Sequence, residues 1–425
     1  MCMPFLHNFG GLRTIQIDIT REMKVQFMNE MIKKLVDTYG PKLIDNRRYL
    51  HAHPELSFKE TQTAAWIRQH LQAAGIPMLT GIHGNSTVGY LKGSTDGPAI
   101  GFRADIDALG LAEENDLPYK SQCDGVMHAC GHDAHTAVLL AMAEILAQHK
   151  ELIHGTIYFI FQQAEEFLPG GAKGLVEDGL MDTLDYMFGW HVSAMDKVGT
   201  ADIAAGVRTA AVGTYDLKIT GKGGHGGSPH QCNNPIIPAA ELVSAINLIP
   251  ALKCDPLANC TVSVSNLICG VAGVDNVLPE TVVMGGNIRS LRTDVRDFAM
   301  AEIKRLAESI SAAHQCQCDV HLVYGYPALD VDAACAAIME KAAQETGLTI
   351  EKKNPSLGAE DFAYYSQKKP AGFAHLGLAD PTGVHAPTPH HNPGFYIDDT
   401  KGLPLALQFI LTTYLMAVKE LKETK

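Results

Sequence analysis

The nine residues Met127-His128-Ala129-Cys130-Gly131-His132-Asp133-Ala134-His135 carry the densest chemistry in the chain. A cysteine and a histidine two apart on an irregular segment can converge on one cation, and thiolate and imidazole both ligate zinc-like ions well. The plainer reading is three surface histidines around a buried thiol. The run Phe159-Ile160-Phe161-Gln162-Gln163-Ala164-Glu165-Glu166 is an apolar stretch ending in two acids. Neighbouring residues leaving a strand point apart, so one carboxylate can bind metal while the other faces water as a general base. A carboxylate near cations keeps its charged form and can still accept a proton near neutral pH. Alone, the pair reads more simply as solvated acids at a strand end. Gly189-Trp190-His191 is another apolar run ending in a possible ligand, although a lone histidine there is more often structural.

Four further segments offer polar groups. Gly221-Lys222-Gly223-Gly224-His225-Gly226-Gly227-Ser228-Pro229-His230 is glycine-rich with two histidines, but lacks the Gly-Lys-Ser/Thr ending of a phosphate-binding loop. Asp275-Asn276-Val277-Leu278-Pro279 and Arg289 add an amide and a guanidinium, and a fork-shaped donor suits a carboxylate. A turn and a surface arginine explain them equally well. Gly358-Ala359-Glu360-Asp361-Phe362 and His390-His391-Asn392-Pro393-Gly394-Phe395 complete the set.

The elements that must position these groups alternate between helix and strand. Ser57-Phe58-Lys59-Glu60 predicts a capping box opening a helix through Ala64, Ile67 and Leu71, which Gly75 and Pro77 stop. Strands are expected at Ser86–Leu91, Ala99–Ala104, Gly155–Phe161 and Tyr186–Val192, with a helix over Ala134–Gln148 between the second and third. Strands separated by helices imply an α/β fold with a mainly parallel sheet between helices, and ligands then bind at the carboxyl ends of the strands. The acids and His191 fall at those ends. From Gly213 to Tyr324 the pattern becomes βαββαβ, enough for an inserted α+β domain of ferredoxin-like type. The first pattern then resumes with a helix at Asp332–Glu345, a short helix from Gly358, a strand at Gly372–Leu376 and a closing helix from Leu403. The division expected is a discontinuous catalytic domain over residues 24–208 and 325–425, an inserted domain over 209–324, and a poorly ordered extension over 1–23.

Composition narrows the function. At 425 residues the chain is too long for one ordinary core, and 46% hydrophobic with 19% charged residues describes a folded protein. A net charge of −13 disfavours nucleic acid and anionic membrane surfaces as partners. No run of about 18 apolar residues is seen, so no membrane-spanning helix is expected. The N-terminus lacks the apolar core and cleavage site of a signal peptide. Ten irregularly spaced cysteines suit reduced thiols in the cytoplasm better than a disulfide scaffold.

Taken in order, the segments HAHPELSFKE, FRADIDAL, MHACGHDAH, FQQAEE, GWH, GKGGHGGSPH, DNVLPE, GAEDF and HNPGF resemble the aminoacylase/carboxypeptidase family of metallohydrolases, which includes hippurate hydrolase and the indoleacetyl-amino-acid hydrolases. They span Arg48 to Asp398, nearly the whole chain. The resemblance implies a zinc-exopeptidase-like catalytic domain and a lid that also forms a homodimer interface. It implies two divalent cations (zinc, manganese, cobalt or nickel) held by Cys130, His132, Glu166, His191 and His391, with Cys130 bridging. It further implies Glu165 as general base and Asp105 as the acid orienting a ligand imidazole. His225 would be the oxyanion donor, while Asn276, Arg289 and Glu360 would contact the substrate. Two departures from the family pattern are visible. His390 stands where an apolar residue usually precedes the last ligand, and His391 is taken as that ligand because it directly precedes Asn-Pro. Phe167-Leu168-Pro169 replace a stretch of shorter side chains and would narrow an acyl pocket.

The implied reaction is hydrolysis of the amide bond of an N-acyl amino acid. Two cations about 3.5–4 Å apart activate water and polarise the carbonyl. Glu165 shuttles the proton, and His225 contributes an interaction on the order of 3–4 kcal/mol at the oxyanion. One rival is a cysteine amidase with Cys130 as nucleophile and His132 or His135 as base. A histidine two residues from the cysteine fits ligation better. The other rival is a non-catalytic protein that binds acyl amino acids, which the presence of every ligand position and the base disfavours.

Overall fold

The computed structural model describes residues 21–422. Of the extension expected over residues 1–23, residues 1–20 lie outside that span, and Arg21 opens the first helix, α1 (Arg21–Ala52). The second, α2 (Thr61–Ala73), buries Ala64, Ile67 and Leu71 and gives way to Gly75 at φ 70°, as predicted. Its start differs from expectation. Ser57 Oγ donates to Asp107 at 2.7 Å, while Glu60 accepts from the backbone N–H groups of Phe58 at 2.9 Å and Ala164 at 2.8 Å. Neither residue is free to form a capping box. The Glu55 carboxylate takes that role, accepting from Gln62 N at 3.2 Å and Thr63 N at 2.7 Å, which satisfies otherwise unpaired amides of the first turn.

The strands β1 (Thr87–Lys92), β2 (Ala99–Asp105), β3 (Thr156–Gln162) and β4 (Tyr186–Lys197) belong to a seven-stranded sheet. Its order is β1, β3, β2, β4, then Ala371–Ala379, Thr200–Asp202 and Thr349–Ile350. From β3 through Ala371–Ala379 the neighbours run parallel, and β1 closes one edge antiparallel. Helix α3 (His132–Gln148) is buried on all sides from His132 to Leu146. Burial of the parallel strands on both faces explains their continuous apolar runs.

Within the inserted segment the sheet order is Gln317–Tyr324, Ala211–Thr220, Thr281–Ser290, Cys260–Cys269, with antiparallel pairing throughout. Helices Ile236–Asn247 and Thr293–Ala313 pack on it around an apolar cluster that includes Leu217, Leu242, Met284 and Ile303. This is the ferredoxin-like order that the βαββαβ pattern predicts.

The closing helix, Asp399–Lys422, corrects one expectation. Its span Asp399–Leu421 is long and apolar enough to cross a membrane, with a mean hydropathy of 1.3. Yet 67% of that stretch is buried within the protein, and the helix packs against α1, α3 and Ala333–Glu345. Its mid-helix hydroxyls are absorbed locally, Thr412 and Thr413 donating to the carbonyls of Gln408 at 2.8 Å and Phe409 at 2.9 Å.

Candidate active site

The strand ends and the turn into α3 meet on the floor of a cleft of about 530 Å³. Cys130 and His132 flank Gly131, whose φ is 89° and where a Cβ would meet Val192 at 2.3 Å. Only glycine fits there, and it lets the chain turn tightly enough to aim both side chains inward. Two residues past the end of β3, Ala164 is held at φ 52° with its N–H donating to Glu60, and this turn delivers Glu165 and Glu166. His191 lies on β4, in parallel register with His375. His391 comes from the far end of the chain, and its backbone N–H is tied to Ala129 O at 2.9 Å.

The structure brings Cys130, His132, Glu166, His191 and His391 together. One donor atom each from Cys130, His132 and His191 lies within 4.8 Å of the others, and the same is true of Cys130, Glu166 and His391. Cys130 belongs to both triads. Cys130 Sγ is 3.4 Å from His191 Nε2, and His391 Nε2 is 3.1 Å from Glu166 Oε1. His390 enters neither triad. Its ring stacks obliquely on that of His191, with centroids 4.9 Å apart.

Partners behind the imidazoles set which nitrogen faces the cleft. His132 Nδ1 faces Asp107, 3.0 Å from its carbonyl and 3.1 Å from its carboxylate, which leaves His132 Nε2 buried with no hydrogen-bond partner. His191 Nδ1 donates to Val192 O at 2.7 Å, freeing Nε2. Such bonds orient an imidazole and raise its basicity as a ligand. The expectation for Asp105 is corrected here. It grips His135 Nδ1 at 2.6 Å and Arg103 at 2.6 Å and stands 3.5 Å from His132 Nε2, while Asp107 holds His132 from behind. His135 in turn accepts from Val192 N at 3.0 Å, fixing the strand just after His191.

Asp107 and Arg103 were legible but missed. In Arg103-Ala-Asp105-Ile-Asp107 the three charged residues alternate with apolar ones, and strand periodicity puts them on one face. Arg103 is 1% exposed and donates to Gln162 at 2.9 Å, Asp105 at 2.6 Å and Asp361 at 2.6 Å, with Glu360 3.2 Å away. Asp361 N–H then donates to Glu165 Oε1 at 3.3 Å, and the Tyr326 hydroxyl donates to Glu165 O. Glu165 is thus held by its backbone and by one oxygen, with the rest of the carboxylate lining the cleft.

Electrostatics follow from this crowding. Burial, reinforced by Glu360, Glu166 and Asp361, raises the Glu165 carboxyl well above the usual range. Burial likewise moves Glu360 to about 7 and Asp361 to about 6, with Arg103 opposing. Burial opposes charge on His132, but Asp105, Asp107 and Glu166 outweigh it and raise that group to about 10. Burial and then the carboxylates of Glu166, Glu165 and Asp105 push the Cys130 thiol well above its ordinary value. Several buried carboxylates thus face one thiol, the kind of crowding that a bound cation relieves.

Arg289 lines the cleft, and its guanidinium donates to Leu357 O at 3.1 Å. Glu360 also lines it, but as a buried neighbour of Glu165 and Arg103 rather than as a free substrate contact. His225 and Asn276 do not line it. They sit together, exposed, on a small ribbon where His225 pairs with Val277 and Gly226 N–H donates to Asn276 O at 2.8 Å.

Comparison with known proteins bears on this geometry. Residues 101–403 match the Peptidase family M20/M25/M40. An N-acetyl-L-cysteine deacetylase of Bacillus subtilis is 37% identical over 365 residues, covering 86% of this chain and 86% of that protein. An N-acyl-L-amino acid amidohydrolase of Geobacillus stearothermophilus is 39% identical over 304 residues, covering 71% of this chain and 82% of that protein. The solved Bacillus subtilis YXEP protein, described as a dinuclear metal binding peptidase from the M20 family, superposes with a TM-score of 0.77 at 30% identity, covering 90% of this chain and 99% of that one. The fold and the cleft define a metal-dependent amidohydrolase. The chain belongs to the M20/M25/M40 peptidase family.

Proposed function

We propose that this enzyme hydrolyses N-acyl amino acids, R–CO–NH–CHR′–COO⁻, to a carboxylate and a free amino acid. The observation that carries the reading is the pair of buried donor triads sharing Cys130, in a cleft that also presents Arg289. The donors suit divalent metal: His132 Nε2 is buried without a partner, and thiolate, imidazole and carboxylate together fit zinc, manganese, cobalt or nickel. Cys130, His132 and His191 would hold one ion and Cys130, Glu166 and His391 the other. Bound cations supply Lewis-acid polarisation of the amide carbonyl and acidify water.

The remaining chemistry belongs to the chain. Glu165 takes the proton from the attacking water and delivers it to the leaving nitrogen. Its burial, with crowding by Glu360, Glu166 and Asp361, raises its proton affinity, the property a carboxylate base needs near neutral pH. Arg289 receives the substrate carboxylate, for which its fork of donors is suited. His225 and Asn276 reach a substrate only if their ribbon is brought over a cleft, by lid closure or from a second copy. A homodimer through residues 209–324 is favoured by the edge strand Cys260–Cys269 and the exposed Leu267, Ile268, Val271, Val274 and Val277 around it. Among the described residues nine cysteines are free, which favours the cytoplasm.

A cysteine-nucleophile amidase is the second reading, because His191 lies 3.4 Å from Cys130. It requires a lowered thiol pKa, and the surroundings push the other way. Turnover of hippurate, N-acetyl and N-indoleacetyl amino acids, before and after removal of metal by a chelator, tests the proposal. Hydrolysis that stops with the chelator and returns with added metal supports it; hydrolysis that survives the chelator favours the nucleophile.

A further inference from the structure

Thr209, His375 and His390 are among the polar side chains that line the cleft without a part in the chemistry above. Thr209 ends the strand Gly206–Thr209 and is 6% exposed, and its hydroxyl oxygen has no hydrogen-bond partner. His390 lines the same cleft, and its Nε2 is likewise buried and unpartnered. His375 projects from Ala371–Ala379 in register with His191, and their ring centroids are 5.9 Å apart. A buried hydroxyl or ring nitrogen left without a partner carries a penalty that a ligand group can relieve.

The charge around these groups limits what that ligand can be. The cations facing His375 are already committed, Arg208 to Asp202 at 2.7 Å and Lys353 to Asp196. Arg289 is the only lysine or arginine among the described residues that line the cleft, and among the described residues it forms no ion pair. A carboxylate therefore has one clear destination, Arg289. The Thr209 hydroxyl and an imidazole each offer both a donor and an acceptor, which suits a neutral polar group.

We propose that Thr209, His375 and His390 form a second subsite in the cleft, which binds an uncharged hydrogen-bonding group of the substrate (a hydroxyl, thiol or carboxamide). The proposal rests on the amidohydrolase reading and adds the substrate class. Such a group can sit on the amino-acid side chain or on the acyl tail, so the test has two arms of near-isosteric pairs. The first compares N-acetylserine with N-acetyl-2-aminobutyrate. The second compares N-hydroxyacetyl-alanine with N-propanoyl-alanine. The metal-loaded enzyme is expected to favour the hydroxyl member of one pair by roughly ten-fold in kcat/KM, the scale of one neutral hydrogen bond. Thr209→Val is expected to erase that preference, and Thr209→Ser, which keeps the hydroxyl, to retain it. The arm that responds locates the subsite. Turnover with no preference in either arm, or a preference that Thr209→Val leaves intact, overturns the subsite alone. Absence of turnover on all four compounds and on hippurate overturns the reading of N-acyl amino acids as substrates, and the subsite with it; turnover of hippurate alone overturns the subsite.

Discussion

Replacing Glu165 by Gln removes the proton-accepting charge while changing almost no volume. The Gln carbonyl can still accept from Asp361 N–H, a bond of 3.3 Å in the native chain, and the Tyr326 hydroxyl still bonds the backbone of residue 165. None of the five converging donors is altered, so metal content should stay at the wild-type level. Loss of a positioned general base typically costs about 10²–10⁴ in rate, equivalent to about 3–5 kcal/mol of barrier. The neighbourhood predicts a second effect of opposite sign. Burial and the neighbours Glu360, Glu166 and Asp361 disfavour the charged form of Glu165, so an amide that never ionises avoids that cost at neutral pH and should raise the melting temperature of the metal-free protein. The assay is kcat on an N-acyl amino acid, paired with metal analysis and a thermal melt of the same preparations. Activity within ten-fold of wild type, or loss of metal with loss of activity, would refute the division of roles between the two glutamates.

Other consequences follow from the network behind the site. Asp107→Ala should weaken metal binding by about 10–100-fold, because His132 loses the acid that fixes its ring; competition with a chromogenic chelator measures it. Arg103→Met leaves Asp105, Asp361 and Glu360 buried without their shared cation and should cost about 3–5 kcal/mol in urea unfolding; a loss under 1 kcal/mol would show the network to be dispensable. In the metal-free protein Glu360 and Asp361 titrate at about 7 and about 6, above their unfolded values of about 4. Their contribution to stability is therefore full below about pH 4 and lost as pH rises through about 7, so melts from pH 5 to 8 should show a declining contribution that Glu360→Gln reduces. Asp133 behaves oppositely. Despite burial, Arg47 at 3.0 Å and His51 at 2.7 Å hold its carboxyl below the ordinary range, so its contribution is present above about pH 4 and lost in stronger acid. Asp133→Asn should lower stability at pH 7 and flatten the acid limb, and an unchanged limb would contradict the assignment.

Much of the site could be read before the fold because its residues sit at ends of elements that the sequence marks clearly. The apolar run of β3 stops at Gln162, just before the two acids, whereas β4 carries His191 within it and continues to Lys197, and in a parallel sheet the carboxyl ends of the strands share one edge. The βαββαβ pattern likewise carries its own sheet order. What escaped depends on competition for partners. Ser57 and Glu60 have the spacing of a capping box, yet Asp107 and the turn at Ala164 claim them first. Asp105 ends β2 and Asp107 follows two residues on, and only packing decides which of them backs His132 and which backs His135. The placement of His225 and Asn276 depends on how the inserted segment sits relative to the cleft, a rigid-body relation with no local sequence signature. The closing helix is expected from Leu403 and found, but the length of its apolar span escaped because Thr412 and Thr413 interrupt the run, and their hydroxyls bond within the helix and so permit burial.

Cys130 contributes a donor to both triads, so a count of bound ions shows whether one thiol serves two cations. Wild-type protein and Cys130→Ala, each stripped with a chelator, reloaded and passed through a desalting column, would be measured for bound metal per chain by mass spectrometry. About two ions per wild-type chain are expected, the number for a dinuclear hydrolytic centre, with loss of at least one on removal of the thiol. Wild-type protein that retains one ion or none, or a Cys130→Ala chain that holds the full complement with undiminished affinity, would contradict the sharing of one thiol by two cations.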